Sequence, residues 1–155
     1  MNLVLFLLAV ATAANGLLAG LNVDTALVKL PARRRIGVIA YATFARGNDL
    51  GNGLLVYPLL GVGAALLTVL TTLFAFLSQE RMEVLLLLSL ATLLSLLHTG
   101  ATTRAAPLML SLKTTPDDEA LLSAKLDRFA HWHAIRATLQ VLAFFLLVWA
   151  LIVSR

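Results

Sequence analysis

Apolar residues fill four long stretches of the chain, and polar residues collect between them. The stretches cover residues 2–23, 53–77, 84–103 and 132–154. A helix needs about 20 mainly apolar residues to cross a bilayer, because the hydrocarbon core is about 30 Å thick and each residue rises about 1.5 Å. The pattern therefore predicts an all-α fold, a bundle of four transmembrane helices that forms one membrane domain over residues 1–155.

The first stretch also has the features of a secretory signal. Leu3 to Val10 would be its apolar core, and Ala11-Thr12-Ala13 has the small-x-small form of a cleavage site. No Lys or Arg precedes the apolar run, although signal peptides carry a positive charge there. We therefore expect a retained first helix.

The connection between the first two stretches, residues 24–52, contains several basic residues and Pro31. Proline lacks an N–H group, so Pro31 is expected to break or end a helix. Residues 36–46 predict a short amphipathic helix at the membrane interface. Its inward residues would be Ile36, Ile39 and Phe44. The Gly- and Asn-rich run 47–53 predicts a turn, and residues 78–83 predict a tight connection between the second and third helices.

The fourth helix is predicted to begin well before its apolar part. Thr115 would cap it, Pro116 would take its first position, and three acidic residues would follow in the first turn. Nothing after Pro116 interrupts the helix until Ser154, so its length would be about 58 Å. That is nearly twice the membrane thickness, so the first turns should project into water. A bend near His131 is the alternative.

Composition excludes several classes of protein. Of the 155 residues, 60% are hydrophobic, 13% are charged and none is Cys. The charged share is about half that of a soluble domain, which excludes an ordinary cytosolic enzyme, a disordered tail and a disulfide-stapled secreted domain. The net charge of +4 on so apolar a chain fits membrane orientation better than nucleic-acid binding. Membrane lipid is therefore a predicted partner, and nucleic acid is not.

Basic residues are distributed unevenly between the two sides of the predicted bundle. Of the 12 Lys and Arg residues, all but Arg81 and Arg155 lie on the side of the first and third connections. Positive loops stay in the cytoplasm. We therefore predict a multi-pass protein of the cell (inner) membrane, with connections one and three cytoplasmic and both termini on the opposite side. The run Arg33-Arg34-Arg35 is interpreted in the same way, as a topology signal at an anionic lipid surface.

The unusual polar residues gather at one level of this bundle, where the topology brings the basic-side ends of the helices together. Polar groups inside a membrane are expensive and mark functional sites or packing contacts. His133, Arg136 and Gln140 follow i, i+3, i+7 spacing and share one helix face. Asn15 and Asn22 are seven residues apart and share another. The pattern predicts a polar pocket in the cytoplasmic half of the bundle.

Each of these side chains suggests a chemical role. His133 is the candidate for proton transfer, since the unperturbed pKa of histidine lies near 6.5. Arg136 can hold a carboxylate, phenolate or enolate through its planar fork. His133 and Arg136 are therefore the predicted catalytic residues. The predicted substrate-binding residues are Asn15, Asn22, Asn52, His98, Arg104 and Gln140. The structural alternative is that these groups hydrogen-bond one another and hold the helices together.

A metal or haem site is the weaker interpretation of the three histidines His98, His131 and His133. Residues i and i+2 on a helix point about 200° apart, so His131 and His133 cannot chelate one ion unless the helix is interrupted. Haem would use His98 and His133 as opposed axial ligands. We predict no cofactor and no metal.

Four segments resemble a known family over nearly the whole chain. They are Gly16-Leu17-Leu18-Ala19-Gly20 through Pro31-Ala32, Arg46 to Pro58, Thr103-Arg104-Ala105-Ala106-Pro107-Leu108, and Phe129-Ala130-His131-Trp132-His133-Ala134-Ile135-Arg136. The last resembles the Trp/His/Arg signature that opens the fourth helix in the anthrone oxygenase-like integral membrane proteins. Met109 departs from the pattern, since the family often has Asn after Pro-Leu. Two residues, rather than the usual one, separate His133 from Arg136.

The resemblance implies a four-helix membrane protein. For a minority of family members it also implies an oxygenase that converts anthrones to anthraquinones without metal or flavin. In that scheme His133 would be the base, Arg136 would hold the anion, and Asn22 or Gln140 would orient it. Many members have no assigned activity, so the fold does not fix the function.

Three functions therefore stay open at the level of the sequence. The first is an oxygenase acting on a hydrophobic aromatic, anthrone-like substrate. The second is a non-catalytic subunit or assembly factor that packs against other membrane subunits or against copies of itself. The third is a binder of a lipid or quinone. A cavity lined by His133 and Arg136 would favour the first or third function. The second function predicts that these side chains bond to one another and that the helices pack without a void.

Overall fold

In the computed structural model, residues 3–154 are described, and these contain helices and short connections but no strand. The α-helices are α1 (Leu3–Asp24), α2 (Leu30–Ile36), α3 (Val38–Gly47), α4 (Gly53–Leu77), α5 (Met82–Leu110) and α6 (Glu119–Val153). Five-residue π-helical turns join α1 to α2 and α3 to α4, and a 3-10 turn follows α5. The predicted all-α fold is confirmed. Of the predicted spans, residue 2 lies outside the described residues.

Four helical segments are long and apolar enough to cross a membrane, so the chain is a multi-pass integral membrane protein. They are Leu3–Ile36, Val38–Leu77, Met82–Lys113 and Glu119–Val153. Each extends beyond the apolar stretch that predicted it. Large apolar side chains cover the outside of the bundle, for example Leu55 at 75% and Leu59 at 73% exposure. Such a surface is stable against lipid tails and unstable in water.

The four long helices form a closed ring. α1 packs against α4 and α6, and α5 packs against α4 and α6. One end of the bundle contains residues 25–52 and 111–118, which Arg46 joins by donating to the backbone oxygens of Leu112 and Thr115 at 2.9 and 2.7 Å. We call it the basic end. At the other end Arg81 donates to the backbone oxygen of Val153 at 3.0 Å.

The first connection is more helical than predicted. Pro31 does not end a helix, because it lies in the first turn of α2, where the N–H that it lacks needs no partner. The helix ends instead at Gly37, whose φ of +89° suits only glycine. Residues 47–53 do not form the predicted turn. Asn48–Asn52 form the π-helical turn into α4, with a kink at Gly51 (φ −90°, ψ −118°).

The predicted helix over residues 36–46 is present as α3, which begins at Val38 and ends at Gly47. The residues that were predicted to face inward do not pack against the rest of the protein. Ile36, Ile39 and Phe44 are all exposed, at 52%, 40% and 47%. The buried residues of α3 are Tyr41, Ala42 and Ala45. The two alanines let the helix approach α6 closely, and the large apolar side chains can face lipid without cost.

The long fourth helix is confirmed, although its start differs from the prediction. α6 has 35 residues and a length of about 52 Å. Its N-cap is Asp118, whose Oδ1 accepts the N–H of Leu121 at 2.9 Å, whereas the Thr115 hydroxyl donates to the Ser111 carbonyl. The helix is continuous past His131. Its first turns are covered on one side by α3, so Leu122 is buried.

Candidate functional site

A cavity of about 380 Å³ lies between α1, α4, α5 and α6 in the half of the bundle next to the basic end. Most of its wall is apolar, with residues such as Leu18, Leu54 and Val62. Its titratable and amide side chains come from five segments of the chain: Asn22, Asp49, Tyr57, His98, His133 and Arg136. A cavity is therefore present in the half of the bundle where the polar pocket was predicted, and both predicted catalytic residues line it.

The cavity exists because the first half of α4 stands away from the bundle. No side chain from Leu54 to Val62 is buried, whereas Gly53 before them and Ala64 after them are. The kink at Gly51 precedes this segment, and Pro58 within it removes one helical hydrogen bond. Gly61 adds volume, because a Cβ atom at that position would meet nothing within 4 Å.

The side wall of this cavity leads to the lipid face. Leu54 on α4 and Leu110 on α5 both line the cavity and are also exposed, at 41% and 46%. Pro58 lines it and is exposed as well. These residues place part of the cavity wall at the outer surface of the bundle, between α4 and α5.

His133 lines the cavity, and one of its two ring nitrogens has no hydrogen-bond partner among the described residues. Its Nε2 lies 3.0 Å from the backbone oxygen of Asn22. A carbonyl can only accept a hydrogen bond, so Nε2 carries the proton and, in the neutral ring, Nδ1 carries a lone pair. Nδ1 is buried and has no hydrogen-bond partner among residues 3–154. The ring is thus oriented by α1 and keeps one basic nitrogen unused.

Arg136 supplies a positive charge that no carboxylate neutralises. Its Nε and Nη2 donate to the side-chain oxygen of Asn22 at 3.3 and 3.0 Å. Asn22 is neutral, and Arg136 belongs to none of the ion pairs found in the described part of the chain. The amide nitrogen of Asn22 is itself buried without a partner. Cationic and amide donors beside an apolar cavity favour an acidic oxygen.

His98 connects α5 to the same cluster. Its Nδ1 donates to the backbone oxygen of Arg136 at 2.9 Å, since that oxygen can only accept. In the neutral ring, Nε2 is then the nitrogen with the lone pair, and no described residue donates to it. Two imidazoles therefore line one cavity, as the topology predicted, and each is held by a backbone carbonyl of a neighbouring helix.

A second polar pair lines the cavity from the start of α4. Asp49 Oδ1 accepts from Asn48 Nδ2 at 2.8 Å and from the Tyr57 hydroxyl at 3.4 Å. Neither Asp49 nor Tyr57 was among the predicted site residues. The available signal was the lone carboxylate at the entry to a span. The Gly-rich run around Asp49 predicted a turn outside the membrane, so Asp49 was not expected in the wall of a cavity.

Asn15 and Gln140 do not line the cavity. Gln140 Nε2 donates to Asn15 Oδ1 at 2.7 Å, and Asn15 Nδ2 donates to the Thr68 hydroxyl at 2.9 Å. Both amides are buried, at 1% exposure. Their hydrogen bonds join α1, α4 and α6. Asn15 and Gln140 therefore fit the structural alternative, in which polar side chains bond to one another and hold the helices together.

Asn52 and Arg104 also lie outside the cavity, and both are exposed. Arg104 follows His98 by six residues, which places it about 120° around α5 from the cavity face. His131 is exposed too, and its ring contacts Trp132 edge-on. Among residues 3–154, no three His, Cys, Asp or Glu side chains come together in a way that could hold a metal ion.

Comparison with known proteins finds no matching family model, no matching curated protein and no matching solved structure. The resemblance to the anthrone oxygenase-like proteins therefore stays a prediction. The function has to be argued from the geometry of the cavity.

Proposed function

We propose that this integral membrane protein binds a hydrophobic aromatic molecule that carries an acidic oxygen, taken up from the bilayer into the cavity. The observation that supports this most directly is the Arg136 guanidinium, which forms no ion pair with a described residue, in a cavity whose wall is mostly apolar. A carboxylate, phenolate or enolate would accept from its planar fork. The apolar body of the ligand would contact the α4 and α5 walls.

The dimensions of the cavity fit this class of ligand. Its volume of about 380 Å³ falls in the range of roughly 300–1,000 Å³ that small-molecule sites occupy. Such sites combine apolar walls with few polar groups that fix orientation. Arg136 and Asn22 would hold one end of the ligand, and the Asp49–Tyr57 pair would accept from or donate to a hydroxyl group at another position. A helix-packing subunit would instead fill this volume with its own side chains.

Catalysis is the second candidate, and the unused Nδ1 of His133 favours it. In this reaction Nδ1 takes a proton from the activated CH₂ of an anthrone, and Arg136 holds the resulting enolate oxygen. The carbanion reduces O₂ and, with the returned proton, gives a hydroperoxide. Loss of water then leaves a ketone, so that one CH₂ and one O₂ become one C=O and one H₂O. This is the reaction that the family resemblance implies.

Binding is tested by titrating the purified protein in detergent with a hydroxylated anthrone and following ligand fluorescence. Arg136→Gln should weaken binding by about 10- to 100-fold, because hydrogen bonds to a charged group contribute about 1.5–3 kcal/mol. The matched control is Arg104→Gln, which removes the same charge outside the cavity. Equal losses in both variants would overturn the proposal.

Catalysis is tested separately by oxygen uptake with the same anthrone. His133→Ala should abolish uptake, whereas His131→Ala, two residues away on the exposed face of α6, should leave it unchanged. If the wild-type protein binds the anthrone but consumes no oxygen above the buffer rate, the protein is a binder and the second candidate is wrong.

We also propose that the basic end faces the cytoplasm. Lys and Arg residues are concentrated in the connections at this end, and short loops rich in these residues remain on the cytoplasmic side. The ligand cavity would then lie in the inner leaflet.

A further inference from the structure

A second, smaller hollow lies at the basic end on the outside of the bundle, between α2 and α6. Its volume is about 200 Å³. Two arginines, Arg33 and Arg34, line it together with three small residues, Ala26, Ala130 and Ala134. The alanines leave room where longer side chains would close the space between the helices. The hollow thus combines cationic groups with a shallow apolar floor.

Arg33 has more hydrogen-bonding capacity than the protein uses. Its Nη2 pairs with Asp127 Oδ1 at 2.6 Å, and its side chain is only 12% exposed. Its Nη1 is buried and has no partner among the described residues. A buried donor without an acceptor is costly, so a small shift of the Arg33 guanidinium toward an oxygen in the hollow would be favoured. Arg34 is exposed and belongs to none of the ion pairs in residues 3–154.

From these observations we propose that the hollow binds the phosphate group of an anionic phospholipid, with Arg33 and Arg34 as its ligands. Asp127 forms an ion pair with Arg33, whereas Arg34 is unpaired, so the site has a net positive charge. That charge selects an anionic headgroup over a zwitterionic one.

The position of the hollow along the membrane normal supports a lipid as the source of the phosphate. The helical segment from Leu3 to Ile36 has 34 residues, longer than the hydrocarbon core requires by roughly 14 residues. Leu27 and Val28 are apolar and highly exposed, at 71% and 62%, which suits contact with acyl chains. Arg33 and Arg34 follow within two turns, on the basic side of this apolar surface.

The experiment measures lipid retention on the purified protein by native mass spectrometry. Phosphatidylglycerol, phosphatidylcholine and inorganic phosphate are each titrated. Arg33→Gln and Arg34→Gln should each lower phosphatidylglycerol affinity by at least about tenfold, because each removes a charge-assisted hydrogen bond to the phosphate. Ala134→Leu should reduce it as well, because the new side chain fills the hollow without changing the charge. Asp127→Asn should raise it, since a competing carboxylate is lost.

Arg35→Gln is the matched control, because Arg35 has the same charge, is exposed and does not line the hollow. An equal loss in Arg35→Gln would show diffuse attraction to the membrane surface and overturn the proposal. Competition by inorganic phosphate as strong as that by phosphatidylglycerol would show a site for free anions, which also overturns it. Arg34 and Ala134 are exposed, so their variants keep the test valid if Arg33→Gln does not fold.

Discussion

Arg136 on α6 donates two hydrogen bonds to the side-chain oxygen of Asn22 on α1, a residue 114 positions earlier in the chain. The contact holds the guanidinium in a fixed direction without cancelling its charge, because the partner is an amide. An aspartate in the same place would hold the group equally well and leave nothing for a ligand to neutralise. The choice of amide is therefore central to the proposed anion site.

Asn22→Asp should remove ligand binding while leaving the fold intact. The new carboxylate would form a charge-assisted pair with Arg136 and occupy the donors that the ligand needs. We expect affinity for a hydroxylated anthrone to fall by at least about tenfold, measured by fluorescence titration, with no loss of thermal stability. The control is Asn52→Asp, at an exposed position outside the cavity. Retained binding in Asn22→Asp would contradict the role of Arg136.

Gly61→Trp should block the cavity from within. A Cβ atom at this position meets no neighbouring atom within 4 Å, and Gly61 lines the cavity, so we expect the indole to enter the void. We expect ligand binding to be lost and the melting temperature to be kept or raised, because a void is filled. Gly63→Trp is the matched control, since Gly63 has equally open surroundings but does not line the cavity. Similar binding in the two variants would exclude the cavity as the binding site.

Gln140→Leu should weaken the fold without affecting the ligand. The substitution removes the 2.7 Å bond to Asn15 and leaves the oxygen of that buried amide unpaired. Hydrogen bonds between membrane helices average about 0.6 kcal/mol and reach about 1.7 kcal/mol, so a loss in that range is expected in unfolding by denaturing detergent. Thr138→Val, on the exposed side of the same helix, should cost less. A large drop in anthrone affinity would mean that this amide pair belongs to the site after all.

The orientation of the bundle can be tested without background labelling, because the natural sequence has no cysteine. A single cysteine at Ser78, in the connection between α4 and α5, should react with an impermeant maleimide added outside intact cells. A cysteine at Lys113, at the basic end, should react only after the membrane is opened. Both positions are exposed, so a reversed pattern would show that the basic end faces outward.

Several features of the protein depend only on local periodicity, and these could be predicted from the sequence. Four apolar stretches of sufficient length predicted four spanning helices, since the membrane sets the number of residues required. Helical spacing placed His133, Arg136 and Gln140 on one face of α6, and all three do face the interior of the bundle. The concentration of histidine, arginine and amide groups at one level followed from the topology alone.

The pairing of these polar groups and the position of the cavity could be known only once the helices were packed together. Asn22 meets His133 and Arg136, whereas Asn15 meets Gln140 further along the same two helices, because the rotation of α1 against α6 depends on packing over their full length. The cavity depends on the course of α4 after the kink at Gly51, which no local pattern predicts.

The side of α3 that contacts the rest of the protein also depended on the tertiary structure. The large apolar residues Ile36, Ile39 and Phe44 are exposed at the surface of the protein. Lipid tails are as apolar as a protein interior, so hydrophobicity does not distinguish inside from outside in a membrane. Close packing does distinguish the two sides, and it buries Ala42 and Ala45. Only the assembled helices show that these small side chains form the contact surface.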